Sequence, residues 1–242
     1  RSATLLGGRV RALFPIAEIR DTHTRLLARS VDATIAGAVV EGLLELPVRW
    51  DVFRMSNILE DSPLVGHFTS AARGHRLQTL LRETHASYVL DLPASYQHYL
   101  AERSAKFRNH LKRVERKLST EPDIRISEFS TVEEVEKGFG FLLDVERASW
   151  KHLHGTAISS APKAVGFFRD LCLGAAARGR IHLQVLTISG RPAAYNLGYV
   201  RDLTYSYLKT SFDEALKPLG VATYLRARLI GSLVEKGLRV MD

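Results

Sequence analysis

The chain of 242 residues has a single cysteine, Cys172, so it can form no internal disulfide and no cysteine-rich zinc site. Cys172 lies in the apolar stretch Phe167 to Ala177, as a small packed hydrophobe would, and its solitude points to a reducing, cytoplasmic setting. No apolar run approaches the ~20 residues of a membrane-spanning helix. The opening Arg1 to Arg11 lacks the apolar core of a secretory signal. An initiating methionine is missing too, and we expect a fragment cut at both ends. Low-complexity segments and short-period repeats are absent. Acidic residues are fewer than basic ones, 26 against 34, for a formal net charge of +8. That balance suits an anionic partner without saying which.

Against these absences stands an ordinary globular composition, 45% hydrophobic and 25% charged. The second half has the clearer pattern. Ser95 is placed to cap one long helix, Tyr96 to Leu118, with Phe107, Leu111, Val114 and Leu118 on its inner face. Asp123 to Phe129 reads as a strand. Thr131 and Glu134 have capping-box spacing for a helix running to about Trp150. Pro162 opens a further helix, and Gly179 stands where a closing glycine belongs. Three alternating segments, 181–188, 193–200 and 203–210, predict an antiparallel meander turning at Ser189-Gly190 and Arg201-Asp202. A loop, Phe212 to Leu219, leads to a helix from about Gly220 to Lys236. Gly237 ends that helix, and Leu238 to Asp242 begins a strand. In the first half, strands are expected at Val10 to Ile19, Trp50 to Ile58, Arg76 to Arg82 and Ser87 to Leu90. Helices are expected at Asp32 to Leu44 and from Ser62-Pro63 to Gly74. The boundary between halves is placed at Leu92 to Ser95.

Four groups of residues can carry chemistry. Lys217, Leu219, Gly220, Val221 and Ala222 lie at a helix start, where unpaired N–H groups, a partial positive charge and a lysine suit a phosphate. A side chain at Gly220 is expected to fill space that phosphate oxygens need. Glu146, Trp150 and Lys151 form the second group. Glu146 is a candidate general base, Trp150 is as readily a core residue as a substrate contact, and Lys151 as readily a solvated cation. Tyr205, Tyr207 and Lys209 alternate onto one face of a strand, with Tyr207 the candidate to protonate a leaving group. Lys106 and Arg108 belong to the basic helix, where residues 97–120 hold seven Lys or Arg and two Glu. No aromatics interleave with these charges as stacking on RNA requires. The pair His152 and His154 lacks a third ligand, so no metal site is expected.

The stretches Arg103 to Arg108, Glu146 to Lys151, Gly190 to Ala194 and Gly237 to Asp242 resemble the cellulose-biosynthesis (CelD-type) subgroup of GNAT acyltransferases, which is similar to the FemABX peptidyltransferases. The element order β-α-α-β-β-β-α-β from Asp123 onward is also that of a GNAT fold. The resemblance implies an α/β (α+β) protein of two GNAT-like modules. Residues 1–94 would be the back half of one module, and 95–242 a C-terminal module lacking its final strands. It implies acetyl-CoA or another acyl-CoA as co-substrate, bound through Lys217, Leu219, Gly220, Val221 and Ala222, where the family loop reads Ser-Pro-Gly. Glu146, Tyr207 and Asp242 become the catalytic candidates. Lys106, Arg108, Trp150, Lys151 and Lys209 become the substrate-binding ones. The acceptor would be an amine of a cell-envelope polysaccharide precursor or related metabolite, with an anionic polymer or membrane surface as a further partner of helix 96–118. Two other readings stay open: a FemABX-like transferase using aminoacyl-tRNA, and a non-catalytic scaffold in polysaccharide secretion.

Overall fold

A computed structural model describes residues 2–5, 8–14, 32–83, 86 and 88–242. The chain divides into two units, Arg1–Ala86 and Ser87–Asp242. In the first, β1 (Ser2–Leu5) pairs antiparallel with β2 (Gly8–Leu13), which pairs parallel with β3 (Val52–Phe53). Helices α1 (Ala33–Leu44) and α2 (Pro63–Gly74) lie where expected, α1 capped by Asp32, whose side chain accepts from the Ile35 N–H. The strand expected at Trp50 to Ile58 shrinks to two residues, and Ile16 to Ile19 lie outside the described residues. Residues 77–83 form no strand. Leu80 and Leu81 there are exposed, and an apolar segment without a partner strand has no ladder to join.

The second unit is built on a six-stranded sheet in the order β4-β9-β8-β7-β6-β5. Its strands are β4 (Leu90–Asp91), β5 (Ile124–Phe129), β6 (Ile181–Ile188), β7 (Arg191–Arg201), β8 (Thr204–Phe212) and β9 (Val240–Met241). The expected meander is present, except that its second turn falls one residue later, at Asp202 and Leu203, both left-handed. β8 and β9 run parallel, as a strand-helix-strand crossover requires, and the other pairs are antiparallel.

Helices cover both faces. On one, α5 (Val132–Ala148) and α7 (Pro162–Ala176) bury Val135, Phe139, Leu142, Phe168 and Cys172 against Leu183, Val185, Tyr195 and Leu197. On the other, α4 (Ala105–Leu118) and α8 (Val221–Glu235) bury Val114, Leu118, Val221 and Leu225 against Leu186 and Ala194. The Thr131–Glu134 capping box forms. Gly179 closes α7, with Gly179 N–H on the Ala176 carbonyl and Arg180 N–H on that of Ala175.

Two helix expectations are corrected. Tyr96 to Leu118 is not one helix: α3 (Tyr96–Glu102) stops and α4 restarts, because Arg103 turns extended and the Ser104 side chain caps the Phe107 N–H. The helix after Thr131 stops at Ala148, where extended Ser149 separates it from the single turn α6 (Trp150–Leu153). The loop before α8 contains a 3-10 turn, Glu214–Leu219. No helix among the described residues is long and apolar enough to cross a membrane.

Candidate functional site

The 3-10 turn ends at Gly220, whose φ of 76° is left-handed. A Cβ there would lie 2.7 Å from Val114 Cγ2 on α4. Glycine is therefore demanded by the backbone and by a neighbouring helix. Beyond it, the Tyr224 N–H reaches the Gly220 carbonyl at 3.0 Å, so the N–H groups of Val221, Ala222 and Thr223 have no acceptor within α8. Val221 is fully buried, backbone included, and Leu219 packs into the α4–α8 cluster. Lys217 is exposed and pairs with Glu214 at 2.8 Å. Lys117 of α4 donates to the Pro218 carbonyl at 2.9 Å. The basic helix and this loop are thus one surface.

A bulge shapes β8. Its register on β7 passes from Leu197↔Lys209 to Gly198↔Tyr207, leaving Leu208 as an extra residue. Tyr205, Tyr207 and Lys209 therefore do not share a face. The Tyr207 ring lies under Arg226 of α8 (5.6 Å), while Lys209 stands over Phe168 of α7 (5.6 Å). A one-residue insertion reverses the pleat beyond it. Tyr207 and Asp242 do meet, on adjacent strands, with Tyr207 N–H donating to the Asp242 carbonyl at 2.7 Å.

Glu146 is 1% exposed. Its Oε1 accepts from the Tyr195 hydroxyl and its Oε2 from the Ile158 N–H, each at 2.6 Å. Burial pushes the Tyr195 hydroxyl well above its usual pKa, so it remains a donor. Lys151 Nζ stands 3.6 Å from Glu146 Oε1 and donates to the Thr210 carbonyl of β8. Burial lowers the Lys151 pKa, and Glu146 opposes that shift. The buried carboxylate thus holds a lysine against β8, and the lysine is the charged group that reaches the strand.

The remaining candidates are dispersed. Trp150 is 46% exposed, edge-on to His154, and so is not a core residue. Arg108 is spent on the helix break, donating to the carbonyls of Ala101 (3.2 Å) and Arg103. Lys106 lines an open depression along α4 with Asn109, His110, Lys112, Arg113 and Arg116. No His, Cys, Asp and Glu cluster among the described residues can hold a metal.

Sequence reasoning missed a polar row beneath α8, whose two central amides are buried and whose outer carboxylate is exposed. Glu128, Gln184, Asn196 and Tyr207, from β5, β6, β7 and β8, are hydrogen-bonded in series. The signal was present: His182, Gln184 and Asn196 interrupt strands that are otherwise apolar.

A helix-covered sheet, a parallel β8–α8–β9 unit and a bulged strand followed by a helix N-terminus are the arrangement that the resemblance to acyl-CoA-dependent acyltransferases led us to expect. The acetyltransferase (GNAT) domain family matches residues 105–242, more than half of the chain. The chain belongs to this family, whose co-substrate is acetyl-CoA. No curated protein matches the sequence. Among solved structures, a conserved protein of unknown function from Bacteroides thetaiotaomicron VPI-5482 is 15% identical with a TM-score of 0.41; the match covers 64% of this chain and 48% of that one. The PaiA N-acetyltransferase from Thermoplasma acidophilum, in complex with coenzyme A, is 13% identical with a TM-score of 0.36, covering 48% of this chain and 75% of that one. The chain thus spans about half the length of the first of these. At the start of α8 the N–H groups of Ala222 and Thr223, in partly exposed residues, lack an acceptor within the helix and lie beside the loop that carries Lys217 and binds Lys117.

Proposed function

We propose that this protein transfers an acyl group, acetyl in the first instance, from acyl-CoA to an amine of a cell-envelope polysaccharide precursor or related metabolite. The observation that carries the reading is the junction of β8, Gly220 and α8, where a bulged strand leads into a helix start beside the loop that carries Lys217. The envelope acceptor rests on the CelD-type resemblance, as does the view of residues 1–94 as the back half of a preceding module. The cytoplasmic setting rests on the lone, fully buried Cys172.

Acyl-CoA supplies an activated thioester. The N–H groups of Ala222 and Thr223 would hold its pyrophosphate, with Lys217 adding charge. Cys172 is no nucleophile, because burial pushes its thiol up to about 12. The amine would therefore attack the thioester carbonyl directly: a C–N bond forms, the C–S bond breaks, and the proton shed by the amine nitrogen goes to the departing CoA thiolate. The Lys151 ammonium, held at β8 by Glu146, places positive charge where the carbonyl oxygen gains negative charge. Lys209, whose charge acts on Lys151, would add to the positive field on the acceptor side.

Calorimetric titration with acetyl-CoA, followed by thiol release in the presence of amino sugars, tests this. We expect saturable 1:1 binding and amine-dependent release. Binding without turnover would favour the scaffold reading. Stabilisation by aminoacyl-tRNA without acetyl-CoA binding would replace the proposal with the FemABX-like one.

A further inference from the structure

The row beneath α8 has a direction. At its outer end the Glu128 carboxylate has only acceptors to offer. Its Oε1 accepts from Ser232 Oγ at 2.7 Å and from Gln184 Nε2 at 3.3 Å. Its Oε2 accepts from Lys236 and lies 3.3 Å from His182 Nε2. The hydrogen bond from His182, with those from Lys236 and Ser232, holds the carboxyl far below the usual range against the opposing effect of burial, so it stays ionised. Gln184 must then turn its NH₂ to Glu128 and its Oε1 inward. That oxygen accepts from Asn196 Nδ2 at 3.3 Å, so Asn196 must present Oδ1 to β8. The Tyr207 hydroxyl donates to this Oδ1, and Thr210 Oγ1 stands 3.2 Å from it. Reversing either amide would set NH₂ against NH₂ or oxygen against oxygen where both amides are buried. Asn196 is 2% exposed and Gln184 1%, so water cannot stand in for a missing partner. Tyr207 itself is only partly buried.

We infer that Tyr207 serves the site as a hydrogen-bond acceptor for an N–H group of the ligand, with Asn196 and Gln184 as positioning residues that fix this sense from Glu128. The phenol's one proton is committed to Asn196, which leaves its lone pairs to accept. A hydroxyl so held does not protonate a departing thiolate, the role the sequence suggested for it. The ligand's N–H belongs either to an amide of the CoA arm or to the acceptor amine. The inference rests on the acyltransferase reading for its ligand, but the polarity of the row stands apart from it.

Two measurements separate these parts. The infrared C–O stretch of ring-labelled tyrosine, assigned by difference with Tyr207→Phe, distinguishes a donating phenol from an accepting one in the protein alone. We expect a donor-only band in the native protein and in Asn196→Asp, whose carboxylate still accepts. We expect a mixed band in Glu128→Gln and Gln184→Met, in which the direction is no longer imposed. Thermal midpoints of all four variants confirm folding, and either of the last two suffices. A native band of acceptor type, or one indifferent to breaking the row, would overturn the polarity. Calorimetry with CoA and with glucosamine as probes tests the ligand contact. Tyr207→Phe should weaken one of them about fivefold, the net worth of one neutral hydrogen bond. Loss for CoA assigns the arm amide, and loss for glucosamine assigns the amine. Two unchanged affinities would overturn the contact. Failure of native protein to bind CoA at all would sink the acyltransferase reading and leave the infrared result standing.

Discussion

Leu203 occupies the second position of the turn between β7 and β8 with φ 64°, and Asp202 precedes it at 48°. Two left-handed residues make the hairpin turn that matches strand twist, a turn that prefers Asp-Gly. A non-glycine residue there costs ~1–2 kcal/mol, and Leu203 is half exposed, so it recovers little by burial. Leu203→Gly should therefore raise the thermal midpoint, with a gain of about 1 kcal/mol in urea unfolding. No gain would mean the leucine has packing that offsets its strain. Glu128 sets the second expectation at this scale. Its folded pKa is depressed below the ordinary 4.5, chiefly by the His182 hydrogen bond. A depressed carboxylate adds stability that is fully present above the unfolded value and is lost as pH falls through the folded one. Urea unfolding should show the native protein losing stability as pH drops below about 5, whereas Glu128→Gln should lose less over the same range. Parallel pH profiles would show that the Lys236 and His182 contacts carry no net stability.

At the scale of elements, α4 is the least expected piece. Its charges suggested a track for a polyanion, yet its inner residues hold the candidate site. Val114 sits against Gly220, Lys117 binds the Pro218 carbonyl, and Glu115 pairs with Arg228 of α8 at 3.4 Å. Gly220→Ala combines a strained backbone with a clash against Val114, so it should lower the thermal midpoint. Adding Val114→Ala makes room for the new methyl, and the double variant should lose less than the two single losses summed, by ~0.5 kcal/mol or more. Additive losses would show that only the left-handed backbone matters.

The whole molecule places every candidate site residue in Ser87–Asp242. That unit is larger than the family match, and the difference has structure. β4 pairs with β9, the Leu92 N–H reaches the Arg239 carbonyl at 2.8 Å, and the Tyr96 ring lies 3.7 Å from where a Cβ on Gly231 of α8 would stand. Residues 87–242 alone should unfold cooperatively and keep the affinity of the full chain for CoA. Residues 105–242 lose the pairing of β9 with β4 and should melt several degrees lower by circular dichroism. Equal midpoints would make β4 and α3 an ornament of this fold.

What the sequence determined by itself was local. Periodicity, capping residues and turn residues located the meander, the Thr131–Glu134 box, the closing Gly179 and the start of α8, because these depend on neighbours a few residues apart. The family-like stretches Glu146 to Lys151 and Gly237 to Asp242 were legible too, since each is contiguous. Only the tertiary structure decided which residues share a face. The extra residue Leu208 reverses the pleat and parts Lys209 from Tyr207, and no pattern within β8 marks it. Only packing showed that Gly220 answers to Val114, 106 positions earlier in the chain, since the contact crosses two helices. Likewise the sense of the Tyr207 hydrogen bond is set by a carboxylate three strands away, through amides whose orientation has meaning only once they are buried side by side.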